Sequence, residues 1–391
     1  MLHLKDMDRK NRTLVVVMGI FLCAAGGVVA FTEYYPRSIV ITNADRAVTS
    51  TAVTSSATTS AAAPVPAPVL AAQSFSPVDA AAYDAKMLQI ANLAIVRHVT
   101  KIKATSSTPS STIVTTSTIP LGWPVNTVYP DAGALLPFNR IIAYYGNLYS
   151  KQMGVLGQYP PAQVLAMLAS TTVAWQAADP ATPAIPALDY IVVTAQGSPG
   201  ADGDYRLRMP ASQIDQIIQM AAQAHGIVFL DIQVGLSTVE QEVPLLEAYL
   251  KMPQVHLALD PEFDMHNGRR PGTVIGTMDA SDINWAANYL ANLVKEYDLP
   301  PKMLVIHRFT EPMVTNYKSI TPLPEVQIVM DMDGFGPPAQ KQTTYTDFIQ
   351  SEPVQFTGFK LFYHNDTVAG HMMTPDEVLK LSPQPSYIQY E

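Results

Sequence analysis

Several absences narrow the reading before any motif is considered. The 391-residue chain has one cysteine, Cys23, so neither an intramolecular disulfide nor a cysteine-built zinc site can form. Basic residues are scarce. There are 24 Lys and Arg against 33 Asp and Glu, for a net charge of −9, and no basic cluster interrupts the later part of the chain, which excludes a phosphate-binding nucleic-acid surface. Charged residues make up only 15% of the chain while 48% are apolar, enough to fill a sizeable core. No H-E-x-x-H metal motif occurs, and no glycine-rich phosphate loop follows the first expected strand. What remains is a neutral or cationic partner, or a sugar.

One uncharged run, Leu14 to Phe31 (LVVVMGIFLCAAGGVVAF), is long enough to cross a hydrocarbon core at 1.5 Å per residue. It reads as a membrane span or a signal peptide. Its length and the lack of an A-x-A site favour an uncleaved anchor, and Leu22 before Cys23 does not fit a lipidation site. Lys5, Arg9, Lys10 and Arg12 precede the run, so the positive-inside rule places residues 1–12 in the cytoplasm, residues 13–31 in the membrane as a transmembrane signal-anchor, and the rest outside. Residues 32–120 are rich in Ala, Ser, Thr and Pro (TSTAVTSSATTSAAAPVPAPV; ATSSTPSSTIVTTSTIP), with too few large apolar side chains to offset chain entropy. They read as a tether, with one helix expected near 77–100, where Tyr83, Met87, Ile90 and Leu93 approach helical spacing.

From Leu121 the pattern changes to short apolar runs alternating with amphipathic segments. Strands are expected at 140–146, 189–196, 227–234, 255–260, 302–308, 326–331, 358–363 and 386–390, with helices at 160–176, 212–225, 238–251, 280–297, 343–350 and 374–381. The link between the fifth and sixth strands has the weakest helical pattern. Eight strands with helices between most of them predict a (β/α)8 TIM-like barrel over 121–391, behind the transmembrane helix and low-complexity linker. An open doubly wound sheet is the rival, but YYGNLYS stands after the first strand where that fold carries its phosphate loop.

In such a barrel the reactive groups sit at strand C-termini. Five strand ends carry them: Leu230-Asp231-Ile232-Gln233, Asp260-Pro261-Glu262, His307-Arg308, Asp331-Met332-Asp333 and Tyr363-His364-Asn365-Asp366. Alternation puts Asp231 with Gln233, Asp260 with Glu262, and Asp331 with Asp333 on shared faces, about 6.5 Å apart along an extended strand. The candidates for chemistry are Glu262, Asp260, Asp231 and Asp333; those for substrate contact are Tyr145, Gln233, His307, Arg308 and His364. Asp231 and Asp331 also have a structural reading, as partners of Arg308 or of the backbone.

The ending Asp260-x-Glu262 resembles the D-x-E of the strand-four signature in chitinase-like and muramidase-like glycosidases. That resemblance implies that the glutamate protonates the leaving oxygen while the aspartate orients the substrate acetamido group. The upstream aspartates of chitinases are replaced by His256 and Ala258, and strand seven offers Tyr363 and His364 rather than a nucleophilic glutamate. More broadly, LPFNRIIAYYGN, FLDIQVG, HLALDPEFDM, VIHRFT, DMDGFG and GFKLFYHNDT together resemble a family of bacterial secreted or membrane-attached proteins with a barrel-type domain, which implies the same fold and an extracytoplasmic location.

The leading expectation is a membrane-anchored glycosidase-like hydrolase of an envelope or extracellular glycan, needing no cofactor. Two alternatives stay open. The same acids with His307 or His364 could hold a divalent cation for phosphoester hydrolysis, with Arg206 and Arg208 receiving phosphate, although arginines so placed are more often solvated or paired, here with Asp202 and Asp204. A glycan-binding barrel without turnover would use Tyr144, Tyr145 and Phe335 as stacking surfaces.

Overall fold

The structure, a computed structural model, describes residues 76–93, 95–102, 111–118 and 122–391. Eight parallel strands close into a barrel: β1 (Arg140–Gly146), β2 (Ala184–Ala195), β3 (Ile227–Ile232), β4 (Val255–Leu259), β5 (Lys302–Arg308), β6 (Val326–Met332), β7 (Phe356–Leu361) and β8 (Tyr387–Tyr390). Neighbours pair in chain order, and β8 returns to β1 with Tyr390 opposite Tyr144. Closure leaves no free edge, which fits strands that are apolar on both faces.

Helices cover the outside of the barrel. They include α2 (Pro161–Ala178), α3 (Ala211–Gln223), α4 (Ala280–Tyr297) and α5 (Pro338–Tyr345), preceded by α1 (Ala80–Ala91). In α4, Ile283, Ala286, Ala287, Leu290, Ala291 and Val294 are buried at helical spacing, and Asp279 and Asp282 form a reciprocal capping box at its start. Against this layer the strands turn Ile142, Leu188, Leu230, Leu257, Ile306, Ile328 and Phe359 outward. Inward, at the N-terminal end of the barrel, lie Ile141, Phe229, Met303, Val329 and Phe356, joined by Tyr83, Met87 and Ile90 of α1. Helix α1 therefore seals the barrel base. Its own start is fixed by Asp79, whose Oδ1 accepts from Ala81 and Ala82 at 3.0 and 3.1 Å.

Three expectations change, and the weak helical pattern between β5 and β6 is borne out. The helix expected near 77–100 stops at Ala91, where Asn92 adopts a left-handed conformation and ends the turn. Beyond it, Ile95–Ile102 pairs antiparallel with Ser111–Thr118 in a hairpin, where a tether was expected; both segments are dominated by β-branched residues, which favour strands. The helix expected at 238–251 breaks into three short pieces around Pro244, whose ring cannot continue an α-helical ladder. The link from β5 to β6 holds only single turns and the two-residue strand Val314–Thr315. The transmembrane span expected at 13–31 and most of the low-complexity segment lie outside the described residues, among which no helix is long and apolar enough to cross a membrane.

Candidate functional site

The inward positions change character toward the C-terminal end of the strands. On β5, alternation points His307 inward and Arg308 outward. His307 is fully buried, with Nε2 3.1 Å from Asp231 Oδ2 on β3, and Nδ1 3.3 Å from Asp331 Oδ2 and 3.5 Å from Asp333 Oδ2 at the end of β6. Burial alone would discharge the imidazole, but Asp231, Asp331 and Asp333 outweigh it and raise its pKa well above the ordinary value. The expected pair Asp331 and Asp333 thus meets on one ring.

Lys360 on β7 is the second cation of the interior. Its Nζ is 3.1 Å from Asp333 Oδ1 and 2.8 Å from Glu391 Oε2, and it lies 3.7 Å from the centre of the Tyr145 ring. Burial works against this ammonium too, yet Asp333 and Glu391 hold its pKa above the usual lysine value. Tyr145 is 4% exposed and stands edge-on to His307 at 5.9 Å, inside the cluster rather than as an open sugar platform.

At the end of β4, Pro261 has no N–H to continue the sheet, and the chain leaves the strand in a 3₁₀ turn, Pro261–Phe263. Asp260 fixes that turn: its Oδ1 accepts from the Glu262 N–H at 3.0 Å, and its Oδ2 accepts from Gln233 Nε2 at 3.1 Å. Gln233 is in turn anchored by the Ala195 N–H, 3.1 Å from its Oε1. Gln233, expected to touch substrate, is therefore committed to holding Asp260. The extended-strand spacing expected between Asp260 and Glu262 gives way to a turn that presents Glu262 separately.

Glu262 is half-buried at the barrel mouth. Desolvation raises its pKa well above the ordinary glutamate range, and Asp260 and Asp333 push the same way while Lys360 opposes them. Asp260 is raised to about 7, chiefly by desolvation. Deeper in, Asp189 on β2 accepts from Tyr387 Oη at 2.5 Å and Gln389 Nε2 at 2.8 Å, and burial with the nearby Asp231 lifts it to about 8. Seven carboxyl groups (Asp189, Asp231, Asp260, Glu262, Asp331, Asp333 and Glu391) thus share two cations, and burial raises the pKa of Asp189, Asp260, Glu262 and Asp331.

Two expected substrate contacts lie elsewhere. Arg308 turns away from the interior, donating to the carbonyl oxygens of Thr310, Phe348 and Glu311 and pairing with Glu352 Oε2 at 2.6 Å. It staples the loops outside the barrel and does not pair with Asp231 or Asp331. His364 is exposed and lies 3.2 Å from Gln158 Nε2, with no ion pair to the interior acids. Arg206 bridges Asp202, Asp204 and Glu242, and Arg208 also binds Glu242, so neither is free for phosphate. Tyr144 is packed outside the barrel, bonded to Thr171 and Tyr363, while Phe335 is 43% exposed beside Phe362.

For a metal ion, Asp189, Asp231 and His307 offer ligand atoms within 4.8 Å of one another, and the Oδ1 atoms of both aspartates have no hydrogen-bond partner. Sequence reasoning missed Asp189, Lys360 and Glu391. Lys360 carried a signal, a lone charge inside the apolar run GFKLF; Asp189 opened the expected second strand, at its N-terminal end, whereas the strand begins five residues earlier at Ala184.

No protein family matches the chain, and no curated protein does. Among solved structures, a hyperthermophilic endo-β-1,4-glucanase in complex with substrate is similar at TM-score 0.29 and 7% identity, covering 53% of this chain and 77% of that one. The class defined here is accordingly structural: a closed eight-stranded parallel α/β barrel of TIM type with an acid-rich C-terminal mouth.

Proposed function

We propose that the barrel is a glycosidase-like hydrolase acting on an envelope or extracellular glycan, with Glu262 as general acid. The observation that carries this reading is the state of Glu262: a carboxyl at the mouth of the barrel, raised well above its ordinary pKa by desolvation and by Asp260 and Asp333. A glycosidic oxygen leaves only when protonated, and a carboxyl that retains its proton near neutral pH can supply it. Asp260, fixed by Gln233 and by the turn it caps, would orient the substrate group next to the scissile bond. Asp333 adds directly to the field in which Glu262 keeps its proton, against the pull of Lys360, while Asp231 would act further in by holding His307. Tyr145 closes the floor of the site. Residues 13–31 would tether the barrel outside the cytoplasmic membrane.

Replacing Glu262 with Gln removes the transferable proton while keeping size and polarity. Turnover of a cleavable glycan is expected to fall by about 10²–10⁴-fold with an unchanged melting temperature; wild-type rates in this variant would reject the role. A second reading, metal-assisted hydrolysis, is favoured by the unpartnered oxygens of Asp189 and Asp231 beside His307. It requires activity to disappear on chelation and return with a divalent cation, which the general-acid reading does not.

A further inference from the structure

Outside the barrel interior, the loop after β4 and the first turn of α4 bring together another set of donors. Asp264 follows the turn that presents Glu262, His266 lies two residues on, and Asp282 is the third residue of α4. Asp264 is 1% exposed, yet neither of its carboxylate oxygens has a hydrogen-bond partner. Its backbone cannot carry the side chain out to solvent, because the Asp264 N–H donates to Pro261 O at 3.2 Å and its carbonyl accepts from the Thr277 N–H at 2.9 Å. A buried carboxylate in this condition is costly unless another group satisfies it.

His266 only half answers. Its Nε2 lies 3.2 Å from Asp264 Oδ1 and 3.3 Å from Asp282 Oδ2; the hydrogen bond is made to Asp282, and one ring N–H is all that stands between two carboxylates. Asp282 Oδ2 also accepts from the Asp279 N–H at 3.3 Å in the capping box, which fixes that carboxylate in place. The ligand atoms of all three residues fall within 4.8 Å of one another. Bonds of about 2.0–2.1 Å at the tetrahedral angle separate two ligand atoms by about 3.4 Å, close to the two spacings around His266. Glu240 adds to the negative field at Asp264, and one imidazole with two carboxylates is a donor set suited to a divalent transition ion.

We propose that Asp264, His266 and Asp282 bind a divalent transition cation of the zinc class, with water completing the coordination, and that this ion clips the loop carrying Glu262 to the start of α4. The cation takes the place of the single shared proton and satisfies both carboxylates at once.

The test uses the full chain stripped with a chelator and titrated with zinc chloride, read by calorimetry and thermal melting. Three variants accompany the wild type: Asp264→Asn, His266→Ala, whose side chain is half exposed and whose loss does not threaten the core, and Asp231→Asn, which disables the donors inside the barrel. One zinc ion is expected to bind wild type and Asp231→Asn, raising the melting temperature of both. Affinity should drop at least tenfold in His266→Ala and Asp264→Asn, and a zinc-edge anomalous peak should fall between the three side chains. No saturable binding to wild type, or binding that survives in both Asp264→Asn and His266→Ala but is lost in Asp231→Asn, overturns the proposal. Because heat and melting are measured instead of turnover, the result is independent of whether Glu262 is catalytic.

Discussion

At the N-terminal end of the barrel the strands turn Ile141, Phe229, Met303 and Phe356 inward onto Tyr83, Met87 and Ile90 of α1. At the other end the same strands turn in Asp231, Asp260, His307, Asp333 and Lys360. Backbone geometry and alternation are the same at both ends; only the side chains differ. The base gains stability by removing apolar surface from water, on the order of 1.5–3 kcal/mol for each large side chain. The mouth buries ionisable groups in excess of their partners, leaving Asp331 with neither oxygen hydrogen-bonded. Unmatched acids do not help a barrel to fold, so their concentration at the end where this fold places its chemistry is the strongest physical pointer to function.

Three perturbations separate the two ends. The largest effect of a single substitution belongs to the base: Phe229 is fully buried against His256 and Tyr387, with ring centres 5.3 and 5.2 Å away, and Phe229→Ala should lower unfolding free energy by about 3–5 kcal/mol in denaturant titrations. The second concerns pH. Asp189 and Asp260 have folded pKa values of about 8 and about 7 against an ordinary 3.8, so the fold favours their protonated forms. Their contribution is complete below about pH 4 and is lost as pH rises through 7 to 8. The raised pKa of His307 acts in the same direction, its contribution fading as pH climbs through its folded value. Glu242 and Asp179, whose pKa values are lowered, oppose this only on the acid side. Stability should therefore fall between pH 5 and 8, by up to about 1.4 kcal/mol per pH unit for each such carboxyl; a flat profile would remove the contrast between the ends. The smallest effect is expected from Asp189→Asn, which mimics the protonated acid. It should change stability little at pH 5 and take one proton out of the pH slope.

The barrel was legible because each strand is an apolar run of the right length, and the limits of β1 and β5 coincide with the expected ones. The pairing of Ile95–Ile102 with Ser111–Thr118 was not, because the Ser- and Thr-rich second strand has the composition of a linker. The site was half legible. Strand-end acids could be collected, and Asp331 with Asp333 does converge, on His307. What the pattern could not fix was phase: Arg308 follows His307 by one residue and so belongs to the opposite face. Nor could it show that Pro261 turns the chain at Asp260, which is what separates the roles of Asp260 and Glu262. Lys360 went unnoticed because a lysine in an apolar run gains meaning only when Asp333 and Glu391 are seen around it.

The most direct measurement is the titration of Glu262 itself. Carbon-13 NMR of protein labelled at the glutamate carboxyl carbon, compared with Glu262→Gln across pH 4–9, should reveal one glutamate that keeps its proton well above the ordinary 4.5 and is missing from the variant. If every glutamate in the wild type titrates in the ordinary range, the mouth holds no poised acid and the account of the site fails.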